Sequence, residues 1–213
     1  MKKKKTPALI GLCGRSGSGK GTVASFFEEF GVPSIDTDAV WRDLTGPSRE
    51  KGKISECLAA LSDIFGEGTV LEDGSLNREF VRSAVFAEDG AEKRELLNRT
   101  AHPFIIEQTL RLAEELGRRG FSAVIVDAPL LFESGLDKKC DLVIATDAPD
   151  EVLIERISDR DGIDAASAGA RLAAQARPEE LPVDLLIDTD RPLSLIRKDV
   201  GRIAEIIKEK YEG

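Results

Sequence analysis

The stretch Leu9–Ala24, LIGLCGRSGSGKGTVA, predicts a buried β-strand, a glycine-rich loop and a helix in immediate succession. The apolar run Ala8–Cys13 forms the predicted strand. Apolar residues then recur at the spacing of a helix, at Val23, Phe26, Phe27 and Phe30. The chain therefore begins with a strand–loop–helix unit, and the loop between its two elements indicates what the unit binds.

The loop has the residues that polyphosphate binding requires. Gly14, Gly19 and Lys20 fit the spacing G-x-x-x-x-G-K of a phosphate-binding loop. Glycine lets successive backbone N–H groups turn toward a phosphate without a Cβ clash, and the following helix presents the positive end of its dipole. Lys20 adds a compact positive charge for the β and γ phosphates. The predicted nucleotide-binding residues are Gly14, Arg15, Ser16, Gly17, Ser18, Gly19, Lys20, Gly21 and Thr22.

The residue after the lysine departs from the usual motif. Ser or Thr normally stands there, and its hydroxyl reaches Mg²⁺, whereas this chain has Gly21 followed by Thr22. Small-molecule kinases of the adenylate kinase kind carry the same GKGT, so the motif survives without a direct hydroxyl–Mg²⁺ bond from that position. A glycine-rich turn that binds nothing is the alternative, but the coincidence of strand, loop, lysine and helix favours a nucleotide site.

Composition and charge restrict the remaining possibilities. A chain of 213 residues suits one α/β core with inserted pieces, and its net charge of −9 argues against a nucleic-acid partner. The three cysteines, Cys13, Cys57 and Cys140, form neither a disulfide framework nor a zinc motif, which predicts a reducing, cytoplasmic compartment. No apolar run approaches membrane-spanning length, so no membrane partner is expected. The oligomeric state stays open.

Carboxylates follow two of the strands that complete a predicted parallel sheet. The further strands are Val32–Ile35, Phe121–Val126, Leu142–Ala145 and Asp184–Ile187. Ligands of such sheets gather beyond the carboxyl ends of the strands. In Asp36-Thr37-Asp38 we expect Asp38 to face the site and Asp36 to be partly structural, although either could cap the next helix. We expect Asp127 to hold Mg²⁺ or its water shell, a polar strand end being the alternative.

The segment Ala39–Gly117 is mostly helical in pattern and contains no convincing strand. Arg78 and Arg82 share one helical face, which is either a binding surface or a solvated one. Ala101-His102-Pro103 predicts the start of another helix, because proline is favoured near the first position. His102, the only histidine, could bind a ligand or simply cap and pack.

Two further helical stretches lie in the second half of the chain. Asp150–Gln175 is basic on one side, and Asp159-Arg160-Asp161-Gly162 predicts a helix end that enters a mobile loop. Arg160 could reach over a nucleotide as part of a lid, the alternative being an ion-paired surface arginine. The stretch Pro192–Glu209 predicts a packing helix.

From Leu9 to about Val200 the sequence resembles the dephospho-coenzyme A kinase family, which phosphorylates the ribose 3′-hydroxyl of dephospho-CoA. The matching stretches include IDTDAVWRDL, GSLNREFVRSAVF, LLNRTAHPFI, VDAPLLFESGL and RISDRDGIDAASAGARLAAQ. The phosphate loop is shared with many nucleotide-binding proteins. The Asp-x-Asp, His-Pro and Pro-Leu-Leu-Phe-Glu motifs together are specific to this family.

The resemblance implies a P-loop NTPase fold of the α/β class, with a three-layer α/β/α core around a five-stranded parallel sheet. Residues 1–38 and 118–213 would form the nucleotide-binding core, with a lid at about 155–180, and residues 39–117 a helical insert that binds the CoA moiety. The implied chemistry uses ATP and Mg²⁺ to convert dephospho-CoA to CoA.

The resemblance also assigns roles to single residues. Asp38 matches the general base that accepts the proton of the 3′-hydroxyl, Lys20 and the loop amides hold ATP, and Arg160 matches the lid arginine. The substrate-binding residues are then Asp38, Arg78, His102 and Leu130. Thr37 stands where the family usually has Ala. Ile187-Asp188-Thr189-Asp190-Arg191 replaces the usual Ile-Asp-Asn-x-Gly of a loop near the adenine.

Two other functions remain open from the sequence. A nucleoside monophosphate kinase would share the loop and the lid, but the apolar stretch Pro129–Glu133 and the long insert favour a larger, partly apolar acceptor. A nucleotide-dependent switch would need loops ordered by the γ-phosphate and would leave Asp38 and Arg160 without a task.

Overall fold

The computed structural model describes residues 6–47, 53–87 and 90–212. Its strands are β1 Ala8–Gly14, β2 Ser34–Asp36, β3 Ala123–Asp127, β4 Leu142–Asp147 and β5 Leu185–Asp188. The α-helices of the described residues are α1 Lys20–Glu29, α2 Thr37–Leu44, α3 Glu56–Phe65, α4 Arg78–Val85, α5 Gly90–Arg118, α6 Asp150–Asp161, α7 Ala165–Ala173 and α8 Leu193–Tyr211. Short 3-10 helices span Leu136–Lys139 and Pro178–Glu180.

The five strands form one parallel sheet in the order β2-β3-β1-β4-β5. β1 lies at its centre because it is apolar along its whole length, and it pairs with β3 from Ala8↔Ala123 onward and with β4 from Ile10↔Leu142 onward. All five carboxyl ends therefore lie along one edge of the sheet. Each predicted strand is confirmed, with bounds that shift by one or two residues.

Helices cover the sheet on both sides, as the resemblance implied for a three-layer α/β/α core. One core cluster joins Val23 and Phe27 of α1 and Val200 of α8 to Ile10 and Ile125 of the sheet. On Gly11 a Cβ atom would lie 2.8 Å from Leu131 Cδ2, so the segment after β3 packs directly against the backbone of β1. The predicted C-terminal packing helix is α8.

The chain divides into two compact units, Met1–Asp36 with Leu112–Gly213 and Thr37–Arg111. The second unit has an apolar core of its own, which includes Cys57, Leu58, Leu61, Val81 and Val85. Ser55 and Asn77 accept hydrogen bonds from Leu58 N (3.1 Å) and Phe80 N (3.1 Å), so side-chain caps start α3 and α4. None of the helices described in the structure has the length and hydropathy to span a membrane.

The prediction that a helix begins at Ala101-His102-Pro103 is wrong. Pro103 lies inside α5, which continues on both sides of it. A proline removes one backbone hydrogen bond and costs about 3 kcal/mol in a helix interior. Leu97 and Phe104, on either side of it in sequence, both pack against the core of the second unit, and this burial outweighs the local cost.

The predicted helix end at Asp159-Arg160-Asp161-Gly162 is confirmed, and it divides the helical stretch Asp150–Gln175 into α6 and α7. Gly162 ends α6 with φ 66°, and its N–H donates to Ser158 O at 2.9 Å. Asp164 then caps α7 by accepting from Ser167 N at 2.7 Å. A glycine C-cap and an aspartate N-cap only two residues apart leave no room for continuous helix.

Candidate active site

The loop between β1 and α1 presents its backbone toward the carboxyl edge of the sheet. Gly17 and Gly19 have φ of 79° and 75°, a conformation that other residues rarely adopt. Gly14 is required for a different reason, since a Cβ there would lie 2.3 Å from Thr146 Oγ1. Gly19 caps α1 without a side-chain hydrogen bond. The first N–H groups of α1 therefore have no partner within the helix and can bind an anion.

Arg15 of this loop is turned into the protein. Its Nε and Nη2 donate to the two carboxylate oxygens of Asp147 at 3.0 and 2.8 Å, and Nη1 donates to Asp150 at 2.8 Å. Burial alone would lower the pKa of the Arg15 guanidinium, but the hydrogen bonds to Asp147 and Asp150 outweigh it and raise that pKa. The Arg15 side chain is used to hold the loop against Asp147 and Asp150. Arg15 would therefore bind a nucleotide through its backbone N–H group.

Two neighbouring serines also connect the loop to its surroundings. Ser18 is buried, and its Oγ lies 2.7 Å from Thr146 Oγ1 on β4. The backbone N–H of Ser16 donates to Gln175 Oε1 at 2.9 Å, just beyond α7. The loop is thus held to β4 on one side and to the end of α7 on the other.

Lys20, the first residue of α1, forms an ion pair with Asp127 at the end of β3. Both side chains are largely buried, at 18% and 11% exposure. Asp127 is the register partner of Asp36 on β2, so these two carboxylate-bearing residues end adjacent strands. The sheet edge combines a lysine, two carboxylate-bearing residues and a helix N-terminus.

This donor set fits Mg²⁺ held together with a nucleotide. Among the described residues there is no group of three or more His, Cys, Asp or Glu side chains that could hold a metal by themselves. Mg²⁺ in phosphoryl-transfer sites needs no such cage, because one or two carboxylates, waters and the substrate phosphates complete its octahedron. Asp127 and Asp36 carry carboxylate oxygens, the type of ligand that such an arrangement uses.

A cavity of about 220 Å³ opens beside the phosphate-binding loop. Its lining consists of Gly19, Thr22, Val23, Arg156, Thr189, Leu193 and Ile196. Arg156 donates to Gly17 O at 3.3 Å and to Thr189 O at 2.9 Å. Arg156 and Thr189 were not among the predicted site residues, because their proximity depends on where β5 ends relative to α6.

Arg160 lies in the last turn of α6 and pairs with the adjacent Asp161, at 2.7 Å from Nε and 2.9 Å from Nη2. Arg171 of α7 forms an ion pair with the same carboxylate. The hydrogen bond from Arg160, ahead of the contribution of Arg171, lowers the pKa of Asp161 to about 2. The Arg160 side chain is 58% exposed, so it is held by its neighbour yet accessible from solvent.

The remaining predicted residues are distributed over both units. Asp38 is exposed in the first turn of α2, two residues after β2 ends. In the same unit Arg78 begins α4 and donates to Thr45 Oγ1 at 3.3 Å, and His102 is half-buried in the middle of α5. Leu130, in the unit that contains the sheet, is 45% exposed in the turn after β3.

Comparison with known proteins identifies a consistent set of relatives. A family model described as Dephospho-CoA kinase matches residues 8–189. A protein named Dephospho-CoA kinase from Corynebacterium efficiens is 36% identical over 202 residues, which cover 93% of this chain and 96% of the relative.

Two solved structures have the same fold. A crystal structure of TT1252 from Thermus thermophilus has a TM-score of 0.72 at 29% identity, covering 96% of this chain and 98% of that one. A dephospho-CoA kinase from Campylobacter jejuni has a TM-score of 0.62 at 21% identity, covering 98% and 100%. At that identity the second similarity concerns the fold alone.

Proposed function

The chain belongs to the dephospho-CoA kinase family, and from this premise we propose that its carboxyl sheet edge transfers the γ-phosphoryl group of ATP to the ribose 3′-hydroxyl of dephospho-CoA. The observation that carries the proposal is the Lys20–Asp127 pair at the head of α1, beside a loop whose glycines have left-handed backbones. Asp38 lies two residues after the end of β2 in the sequence.

The protein lowers the barrier mainly through positioning and charge. The N–H groups at the start of α1 and the ammonium of Lys20 hold the phosphates, which orients the γ-phosphoryl group in line with the acceptor oxygen. Such alignment contributes roughly 7–11 kcal/mol in favourable intramolecular reactions. Asp38 orients the 3′-hydroxyl and accepts its proton, an effect on the order of 10²–10⁴ in rate.

We assign Mg²⁺ to Asp127, through water, together with the nucleotide phosphates. The ion would supply charge neutralisation at the β and γ oxygens. Gly21 cannot supply the usual hydroxyl ligand, and on Gly21 a Cβ would meet no heavy atom within 4 Å. A serine side chain therefore has room at this position.

Gly21→Ser is expected to strengthen the response to Mg²⁺. The new hydroxyl sits where the usual motif places its Mg²⁺ ligand, so the Mg²⁺ concentration that half-saturates binding of a fluorescent ATP analogue should fall by about three- to tenfold, which corresponds to ~1 kcal/mol. Gly21→Ala is the matched control, because it adds the Cβ and the helix propensity but no hydroxyl. Equal Mg²⁺ dependence in the two variants would contradict the assignment.

Arg160→Ala is expected to lower kcat by about 10- to 100-fold, the range for one lost charge-assisted hydrogen bond to the transferring group. Arg171→Ala is the control, since Arg171 is the other arginine that pairs with Asp161. It should leave kcat within about twofold, within the small range of exposed ion pairs. An equal loss in both variants would assign the effect to the Asp161 cluster rather than to Arg160. Steady-state kinetics at saturating ATP measures both.

The cavity beside Gly19 and Thr189 suits the nucleotide base, because it adjoins the phosphate-binding loop and combines apolar side chains with one guanidinium. For the acceptor we propose Arg78, His102 and Leu130 as candidate contacts. Arg78 would contribute positive charge toward the diphosphate of dephospho-CoA. The exposed Leu130 would contribute apolar contact.

We also propose a cytoplasmic location. Cys13, Cys57 and Cys140 are all free thiols, which is typical of proteins in a reducing compartment. Burial raises the pKa of the Cys13 thiol to about 11, so at neutral pH this cysteine stays protonated and unreactive.

The deciding experiment measures ADP release from Mg-ATP with dephospho-CoA, AMP, CMP or no acceptor. Saturable turnover with dephospho-CoA alone is expected. Turnover with AMP or CMP would mean that the protein is a kinase whose acceptor is a nucleoside monophosphate and not dephospho-CoA. Slow release that is indifferent to every acceptor would instead favour a nucleotide-dependent switch.

A further inference from the structure

Thr189, the residue after β5, is tied to the end of β4 by two hydrogen bonds. Its backbone N–H donates to Asp147 O at 2.8 Å, and its hydroxyl donates to the same oxygen at 3.0 Å. The residue is 4% exposed. The hydroxyl proton is thereby directed to Asp147, which leaves the oxygen lone pairs of Thr189 to accept.

The acceptor capacity of Thr189 is used by Arg156 of α6. Arg156 Nη1 donates to Thr189 Oγ1 at 3.1 Å and to Gly17 O at 3.3 Å, while Nη2 donates to Thr189 O at 2.9 Å. One guanidinium thus joins the loop after β5 to the phosphate-binding loop. From the other side Arg15 binds the carboxylate of Asp147. These hydrogen bonds, together with the backbone from Arg15 to Gly17, form a closed circuit.

The circuit also forms one wall of the cavity assigned to the nucleotide base. Arg156 and Thr189 both line it, and a Cβ on Gly19 would lie 3.7 Å from Thr189 Cβ. The residues that shape the base cavity therefore also fix the carbonyl of Gly17 in the loop that receives the phosphates.

From this arrangement we infer that Thr189 is a positioning residue. Its hydroxyl, acting through Arg156, fixes the position of the base cavity relative to the phosphate-binding loop, as ATP binding requires. The inference rests on the proposed use of ATP. The Thr189 hydroxyl can donate to Asp147 and accept from Arg156 at the same time. The threonine side chain is also small enough to be almost fully buried.

The test compares Thr189→Val, which keeps the side-chain shape but removes the hydroxyl, with Thr189→Ser, which keeps the hydroxyl. We expect Thr189→Val to raise both the KM for ATP and the Kd of N-methylanthraniloyl-ATP by about tenfold, because the buried hydroxyl that accepts from Arg156 and donates to Asp147 O is lost. The KM for dephospho-CoA should stay within about twofold, and Thr189→Ser should restore ATP affinity to within about threefold.

Thr69→Val controls for the loss of a buried hydroxyl elsewhere. Thr69 is fully buried and donates to Gly66 O at 2.7 Å within the unit Thr37–Arg111. This variant should lose thermal stability without a change in ATP affinity, which separates a general packing effect from a nucleotide-specific one. Arg156→Lys should raise the KM for ATP as Thr189→Val does, and the double variant should be no worse than either, because both act through one circuit.

Unchanged ATP affinity in Thr189→Val, or an equal loss in Thr189→Ser, would overturn the inference. If Thr189→Val does not fold, Arg156→Lys is tested in its place. Unchanged ATP affinity in Arg156→Lys would then overturn the inference. Binding of the ATP analogue requires no acceptor. If the variants show the expected pattern of ATP-analogue binding but the wild-type protein does not phosphorylate dephospho-CoA, the proposed function is refuted and the inference is supported.

Discussion

Asp38→Asn is expected to fold like the wild type and to lose about 10²–10⁴-fold in kcat with dephospho-CoA, the range for removal of a general base. The carboxylate is exposed in the first turn of α2, and Asn is nearly the same size, so the core should be undisturbed. The amide can accept a hydrogen bond from the 3′-hydroxyl but cannot take its proton. Steady-state kinetics at saturating ATP, with the thermal midpoint as a folding check, measures the effect.

Asp43→Asn provides the matched control for this prediction. Asp43 is exposed on the same helix α2, so the substitution makes the same change of charge without touching the proposed base. It should retain kcat within about twofold, as surface substitutions usually do. If Asp38→Asn turned over as fast as Asp43→Asn, Asp38 would have no part in proton transfer.

Lys20→Met is expected to reduce kcat/KM for ATP by about 10³-fold, because it removes the ammonium that faces the β and γ phosphates. It should also destabilise the protein by about 1–3 kcal/mol, since it removes the ion pair that Lys20 forms with the largely buried Asp127 carboxylate. Denaturant unfolding measures the second effect, and ATP titration of the turnover rate measures the first.

The double variant Lys20→Met/Asp127→Asn separates these two effects. Neutralising Asp127 removes the buried charge that Lys20 balances in the wild type, so most of the lost stability should return while activity stays low. Recovery of activity together with stability would mean that Lys20 acts by supporting the fold. Activity of Lys20→Met within tenfold of the wild type would exclude its role at the phosphates.

The sequence predicts those parts of the fold that depend on local pattern. The spacing of Gly14, Gly19 and Lys20 predicts the phosphate-binding loop because glycine conformation and helix-terminal N–H groups are local properties. Short apolar runs predict all five strands, and those of β1 and β3 are continuous because strands buried on both faces need no alternation. The end of α6 is likewise predicted by Asp159-Arg160-Asp161-Gly162, because a glycine C-cap is a local signal.

Contacts between distant residues could not be predicted in this way. Asp127 follows Lys20 by more than a hundred residues, and only the completed sheet brings the two together. The inward turn of Arg15 depends on Asp147 and Asp150, which the loop sequence does not contain. Proline prefers the first turn of a helix, but Pro103 lies inside α5 because Leu97 and Phe104 on either side of it pack against an apolar core. Such packing between distant residues is not visible in the local sequence. The roles of Asp38, Arg78, His102, Leu130 and Arg160 in catalysis and binding remain predictions.

The central position of β1 has a consequence for how the chain is made. β1 is translated well before both of its neighbours, β3 and β4, which begin more than a hundred residues later. At ribosomal rates of 5–20 residues per second this strand waits on the order of ten seconds for its partners. During that time an apolar segment that the finished sheet buries lacks its partner strands, and it offers a binding site to chaperones that act during translation.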